Sequence, residues 1–246
     1  MAEFKLPTET VELPSKGLIY SPDSPLAEGK IEMKYMTAKE EDILTNQNYI
    51  KDGTVIDKLL KSLIVTKINY DDLIVGDRNA IMVAARILGY GKDYNFTFNG
   101  KEYSVDLTEL ENIYLKEENI SEKGVNKFTF TLPTTNAVIE YKLLNGKDDR
   151  DIKQEIKGLQ KLDKNASPEL STRLKYMILS VDGNKDKSAI REFVDNYMLA
   201  RDSRALREHI RVTQPDVDLT FTYQDRNSED QEASIPIGLN FFWPDA

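Results

Sequence analysis

The run from Ile31 to Tyr94 constrains the chain most, because its helix signals come with defined starts and stops. Thr37-Ala38-Lys39-Glu40 has capping-box spacing: the threonine oxygen serves an orphan amide of the first turn, and the glutamate reaches back to the cap amide. A helix is therefore expected from Thr37 to near Tyr49. Asp52-Gly53-Thr54 interrupts it. Thr54 is placed to cap a second helix, in which Val55/Ile56, Leu59/Leu60 and Leu63/Ile64 recur every four residues and make one apolar stripe. Asp71-Asp72-Leu73 reads as a turn. A third helix starts at Gly76-Asp77 and turns Ala80, Ile81, Ala84, Ile87 and Leu88 inward. Gly89 and Gly91 stop it, since glycine accepts the left-handed backbone of a helix end. Three short helices with short connections are expected to pack on one another.

The flanks read differently. Thr10–Leu13 and Ile31–Tyr35 alternate about the turn signal Pro14-Ser15-Lys16-Gly17 and the apolar Leu18-Ile19-Tyr20, so a first hairpin or small sheet is expected. Phe96–Phe98 and Tyr103–Leu107 flank Asn99-Gly100, the strongest short-range signal for a hairpin with a primed turn. Lys127–Leu132 and Ala137–Leu143 form a second hairpin around Pro133–Asn136. The acidic, weakly patterned Glu109–Val125 between them reads as a flexible excursion. Helices come next at about Asp149–Gln160, from Ser167-Pro168-Glu169 with Leu170, Leu174, Met177, Ile178 and Val181 as its stripe up to Gly183, and over Ile190–Met198, either continuing or restarting at Ser203 and ending before Pro215. Leu219–Tyr223 alternates, Gln224–Glu232 is a polar loop, and Ile235–Pro244 is an apolar, aromatic tail.

The chain thus divides into an N-terminal β segment (1–36), a helical unit (37–94), a β-hairpin insert (95–143), a second helical unit (144–215) and a C-terminal β hairpin with an aromatic tail (216–246). The class is α+β: two small helical bundles with β hairpins at the N-terminus, middle and C-terminus.

Composition narrows the chemistry. There is no cysteine and one histidine among 246 residues, which removes thiolate nucleophiles, disulfides and thiolate zinc sites. His209 lies between arginines and glutamate with no base partner suggested. Gly89-Tyr90-Gly91-Lys92 lacks Walker spacing and comes after a helix where a strand is needed. Asp182, Asn184, Asp186 and Ser188 match the first four alternate positions of a calcium loop, but Lys187 stands at the required glycine and Phe193 at the closing glutamate. No cofactor or metal is expected, and no enzyme. No apolar run is long enough to span a membrane, the N-terminus lacks the apolar core of a signal peptide, and absence of cysteine fits a reducing cytosol.

The net charge of −9 disfavours general nucleic-acid binding, which depends on neutralising phosphates. The charge is uneven, however: residues 147–211 hold 15 Lys/Arg against 12 Asp/Glu. Arg201, Arg204, Arg207 and Arg211 recur at three- and four-residue steps and line one helix face. That face is either solvated, offset by Asp202 and Glu208, or a docking surface for an acidic partner. The tail Phe241-Phe242-Trp243 is either a strand closing a hairpin with Leu219–Tyr223 or an aromatic anchor for a partner.

Several strings resemble a family. Leu13–Gly17, Tyr35–Thr45, Gly76–Ala80, Ala84–Gly91, Phe130–Pro133, Leu144–Asp148, Arg201–Arg204 and Ile235–Pro244, taken in order, look like the baseplate hub assembly proteins of T-even-like contractile-tailed bacteriophages. The resemblance implies a structural or assembly (chaperone-like) role in the tail baseplate hub, with other baseplate or tail hub proteins as partners. The place would be the host cytoplasm during assembly, or the virion baseplate. Members of that family often carry paired CxxC motifs around the β hairpins. The matching stretches Tyr94–Leu107 and Phe221–Ile237 hold none, so burial of Phe96, Phe98, Phe221 and Tyr223 is expected to substitute. Glu41, Asp42 and Arg78 fall in the family-like strings without being needed for helix formation, which makes them candidate partner-binding residues. The alternative function is a nucleic-acid-binding or packaging accessory protein using the Arg201–Arg211 face.

Overall fold

The computed structural model describes residues 7–162, 168–224 and 229–242. Its elements are helices and small antiparallel sheets, as an α+β class requires. β1 (Thr8–Glu12) pairs with β2 (Lys30–Lys34), setting Val11 opposite Ile31. The connection between them, residues 13–29 with a short 3-10 turn at Pro25–Glu28, is folded closely on itself. Gly17 sits at φ +73°, and a Cβ there would lie 2.4 Å from the Ala27 carbonyl oxygen, so only glycine fits. Alternate residues of β2, Ile31 and Met33, point into the core.

The helical run begins at the expected cap. Glu40 accepts from the Thr37 amide at 3.0 Å and from its hydroxyl at 2.5 Å. The first helix is shorter than its apolar pattern suggests. α1 (Ala38–Leu44) ends, and Asn46 starts α2 (Gln47–Lys51) by accepting from the amides of Asn48 and Tyr49. A side chain that bonds its own backbone two and three residues on competes with helix continuation. α3 (Val55–Leu63) buries Val55, Leu59, Leu60 and Leu63. α4 (Val75–Tyr90) buries Ala80, Ile81, Val83 and Ala85, while Ala84, Ile87 and Leu88 are only partly covered. Gly91, at φ +85°, closes it. Gly89 lies inside the helix, where its missing side chain makes room for Met36.

β3 (Asp93–Phe98) and β4 (Lys101–Asp106) form the expected hairpin, with Asn99 and Gly100 both at positive φ as a primed turn needs. The stretch expected to be a flexible excursion is instead strapped down. Its β5 (Asn112–Ile113) pairs with β9 (Asp216–Val217), Leu115 is buried, and the amides of Leu115 and Gly124 donate to Pro14 and Leu18 carbonyls. β6 (Phe128–Thr131) and β7 (Val138–Tyr141) make the second expected hairpin, but the sheet has a third strand. After α5 (Gly146–Leu162) comes α6 (Glu169–Met177), which ends at Met177. Ile178 and Val181, expected on its helical stripe, belong to β8 (Ile178–Val181) beside β7. Two turns of helix stripe and a buried strand share the same apolar residues, and the free edge of β7 decides between them. Of the helix start at Ser167-Pro168-Glu169, Ser167 lies outside the described residues.

α7 (Lys187–Glu192) runs into a π-helical turn, Phe193–Tyr197, before α8 (Ala200–Thr213). β10 (Thr220–Gln224) pairs with β11 (Asp230–Ser234), so its partner comes from the stretch expected to be a polar loop and not from the aromatic tail. The tail forms a single turn, Leu239–Phe242. The two hairpins β3–β4 and β10–β11 meet through rings: Phe221 lies 4.9 Å from Phe96, 5.2 Å from Phe98 and 5.2 Å from Tyr103, and Tyr223 lies 5.0 Å from Phe98. Edge-to-face rings at these spacings join the two hairpins. The buried apolar side chains from all these segments form one connected cluster.

Replacing Phe221 by alanine removes the ring that four others meet, those of Phe96, Phe98, Tyr103 and Tyr223. The expected cost is about 3–5 kcal/mol of folding stability, read as a lower midpoint in chemical denaturation. A change under about 1 kcal/mol, the scale of an ordinary surface substitution, would show that the two hairpins do not share a core.

Candidate docking surfaces and the buried polar groups beneath them

Acidic and basic side chains in this fold divide into two sets, those that fasten the chain to itself and those left at its surface. The deepest fastener is Asp77, at the first turn of α4 and fully buried. Its carboxylate accepts from the Ser15 amide at 2.9 Å and the Tyr20 hydroxyl at 2.6 Å. The Tyr20 oxygen in turn accepts from the Ile74 amide at 3.1 Å. Burial pushes the Asp77 carboxyl up to about 6, against the pull of its hydrogen bonds from Tyr20 and Ser15, and nearby Asp216 adds in the same direction. Asp216 is itself raised, chiefly by burial, and accepts from the Asn79 amide group at 2.8 Å.

Other carboxylates act similarly. Asp202, buried in α8, accepts from the amides of Thr134 at 2.7 Å and Thr135 at 3.1 Å, fixing the β6–β7 turn. Burial opposes ionisation there, but these bonds outweigh it and hold the carboxyl below its ordinary range. Glu40 likewise resists burial through bonds from Lys34 and Thr37 and is drawn down to about 2. Arg86 is the one buried guanidinium among the described residues. It donates to the carbonyls of Gly91 at 2.9 Å and Asp93 at 3.1 Å, closing the end of α4 onto β3.

Of the residues singled out for partner binding, Arg78 lies inside this network. Its guanidinium meets Asp149 of α5 at 2.7 Å, and Arg173 of α6 reaches the other oxygen of that carboxylate at 3.4 Å. A second tie, Arg150 to Asp71, runs beside it. The two helical units are therefore bridged by charge at this junction. Glu41 and Asp42 are exposed on α1. Arg201, Arg204, Arg207 and Arg211 are all exposed on α8. Arg211 is engaged by Glu208 at 2.7 Å. Phe241 and Phe242 are fully buried, Phe241 with its ring 4.8 Å from Tyr94; Trp243 lies outside the described residues. His209 stacks on Phe130 at 4.4 Å, and burial holds its pKa below the ordinary histidine range. Asp182, Asn184 and Asp186 each bond a backbone amide, of Val138, Asp186 and Ala189 respectively, which explains their polarity as turn chemistry.

A family model described as T4 bacteriophage base plate protein matches residues 7–163. The chain belongs to that family. Its role is a structural or assembly one in the phage base plate, its place the virion tail, and its partners other tail proteins. No curated protein and no solved structure matches this base plate protein. Among its described residues no helix is long and apolar enough to cross a membrane. The matched residues are not structurally separate from the rest. β8, β9, β10 and the turn bearing Phe241, all beyond residue 163, complete the sheets and core of the matched part.

The residues that sequence reasoning missed are the fasteners Ser15, Tyr20, Arg86 and Asp202. For Ser15 and Tyr20 the partner was within reach of the sequence: Asp77 is an acid on the core-facing side of a helix, one turn before Ala80 and Ile81, and a buried acid must find donors.

These contacts make two outcomes measurable. Asp77 binds its proton more tightly folded than unfolded. Its stabilising contribution is therefore complete below the ordinary carboxylate range and is lost as pH rises through about 6. The loss is about 2–3 kcal/mol, since raising a pKa by one costs about 1.4 kcal/mol. Melting curves from pH 4 to 8 should show a decline for the native chain that is shallower in Asp77→Asn, the remainder coming from Asp216, which shifts with the same sign. Equal slopes would contradict this. Separately, Arg78→Ala leaves Asp149, whose side chain is 10 % exposed against 19 % for Arg78, with only the longer contact to Arg173 at 3.4 Å, and should cost about 1–3 kcal/mol. Arg211→Ala, on an exposed pair, should change stability by no more than about 0.5 kcal/mol.

Proposed function

We propose that this chain is a component or assembly factor of the base plate hub, non-enzymatic, acting through protein–protein contacts as the tail is built in the host cytoplasm. The observation that carries this reading is the family match over residues 7–163. The side chains support it. The ionisable groups inside the fold are engaged in fastening segments to one another, and among the described residues no group of three or more His, Asp or Glu is arranged to hold a metal ion. A fold fastened by internal ion pairs suits a part that positions other proteins. Its exposed charges, including Glu41 and Asp42 on α1, offer a polar docking rim.

A phage lacking the gene should accumulate incomplete base plates, seen by electron microscopy of infected-cell lysates. Mass spectrometry of purified virions then separates the two forms of the role: peptides of the chain in mature particles mark a resident hub component, and their absence from particles that nevertheless require the gene marks a chaperone. Normal base plates without the gene would sink the hub reading. Glu41→Ala with Asp42→Ala should lower base plate yield if that part of α1 docks a partner.

A further inference from the structure

The outer face of α8 combines features that do not serve the fold. Asp202, Ser203, Leu206, Ile210 and Thr213 form the buried side of the helix. On the opposite side Arg201, Arg204 and Arg207 are exposed, and none makes an ion pair within 4.0 Å with a described residue. The acid that shares their face, Glu208, is held by two bonds from Arg211, at 3.0 and 2.7 Å. Among the described residues these three cations thus have no carboxylate within 4.0 Å, although Arg204 feels the field of Glu208, on a chain whose net charge is −9.

A second observation concerns the approach to the helix. The chain enters α8 through the π-helical turn Phe193–Tyr197, in which the Met198 amide donates to the Phe193 carbonyl five residues back at 2.8 Å. A π turn inserts one residue relative to an α-helix and rotates the side chains beyond it, a distortion that is frequent at functional sites. Here Val194 stays buried, while Tyr197 and Leu199 emerge 59 % and 47 % exposed immediately before the arginines. About half of each side chain is thus left open to solvent by the described residues. Tyrosine and arginine, side by side at the surface, are the residue types that dominate binding hot spots.

We infer that the face formed by Tyr197, Leu199, Arg201, Arg204 and Arg207 docks a carboxylate-rich surface of another tail protein, with an apolar contact at the Tyr197 end. This rests on the reading of the chain as a protein that acts by protein contacts, and it specifies the partner's chemistry. Charge complementarity favours a protein over nucleic acid. A duplex presents phosphates along its whole length to the acidic remainder of the chain, so its binding is opposed at long range. An acidic protein patch touches only the arginine face, and the exposed Tyr197 and Leu199 have no phosphate to meet.

The test uses phage carrying Arg204→Glu with Arg207→Glu in the full chain. Tail yield should fall by about tenfold or more, as expected when charges in an interface are reversed. Second-site suppressors should replace Asp or Glu by Lys, Arg or a neutral residue in another tail protein. Tyr197→Ala should lower yield by a smaller factor, and Arg211→Ala should leave it unchanged. If the reversed chain is insoluble, Arg204→Gln with Arg207→Gln is read the same way. Purified chain is also titrated with a synthetic peptide of alternating glutamate and leucine and with a short DNA duplex. Binding of the peptide that is lost on charge reversal supports the inference. Unchanged tail yield, suppressors confined to the chain itself, or tighter binding of the duplex than of the peptide would overturn it. If deletion of the gene leaves tails intact, the hub reading fails instead, and the titration still judges the face.

Discussion

The carboxylate of Asp77 is the point on which the fold turns. It sits at the N-terminal turn of α4 and holds the loop after β1 through Ser15 and Tyr20, while Tyr20 passes the connection on to the Ile74 amide just before the helix. The negative group at a helix N-terminus is favoured by the exposed amides and the helix dipole there. Close by, Gly76 lets the backbone of Pro215 approach so tightly that a Cβ would fall 1.9 Å from its carbonyl oxygen. β9 therefore lies against the start of α4, and Asn79 binds Asp216 across a separation of 137 residues. One helix end thereby gathers the beginning, the middle and the end of the chain.

The same logic recurs at other junctions. Asp202 holds the β6–β7 turn, Asp149 joins α4 to α5 and α6, and Glu155 takes both terminal nitrogens of Arg191 at 2.7 and 2.8 Å. In each case an acid is satisfied by amides or guanidinium from a distant segment, which suits a chain whose sheets are of two or three strands and supply few ladder bonds of their own. Because the acids of these junctions are engaged, the exposed cations of α8 stand out, and so does the exposure of Tyr197 and Leu199 before it. The division between internal and external charge is what separates the stabilising residues from the candidate docking residues.

Membership in the base plate family covers residues 7–163, yet the matched part is completed by chain that lies beyond it. Strand β8 fills the edge of β7, and Phe221 and Phe241 fill the aromatic space around Tyr94, Phe96 and Phe98. The aromatic cluster between the hairpins lies over the two cysteine-free stretches. Burial of rings joins the two hairpins without a covalent link, because each ring removes a large apolar area from water.

The sequence by itself determined the features whose causes lie within a few residues. The capping box at Thr37–Glu40, the stripe of α3, the primed turn at Asn99-Gly100, the two central hairpins and the three- to four-residue spacing of the arginines all come from local sterics and periodicity. Tertiary structure decided the features that depend on a distant partner. Ile178 and Val181 suit a helix stripe or a strand equally, and only the open edge of β7 chose the strand. Arg78 reads as an exposed polar residue until Asp149, 71 residues away, is brought beside it. Phe241 and Phe242 could anchor a partner or a core, and the space beside Tyr94 settled them in the core. Tyr197 falls seven residues after the buried Ile190, the spacing of one helix face, yet it leaves the π turn 59 % exposed. In each case the deciding energy is a pairing or burial term that exists only once remote segments have met, so no local pattern encodes it.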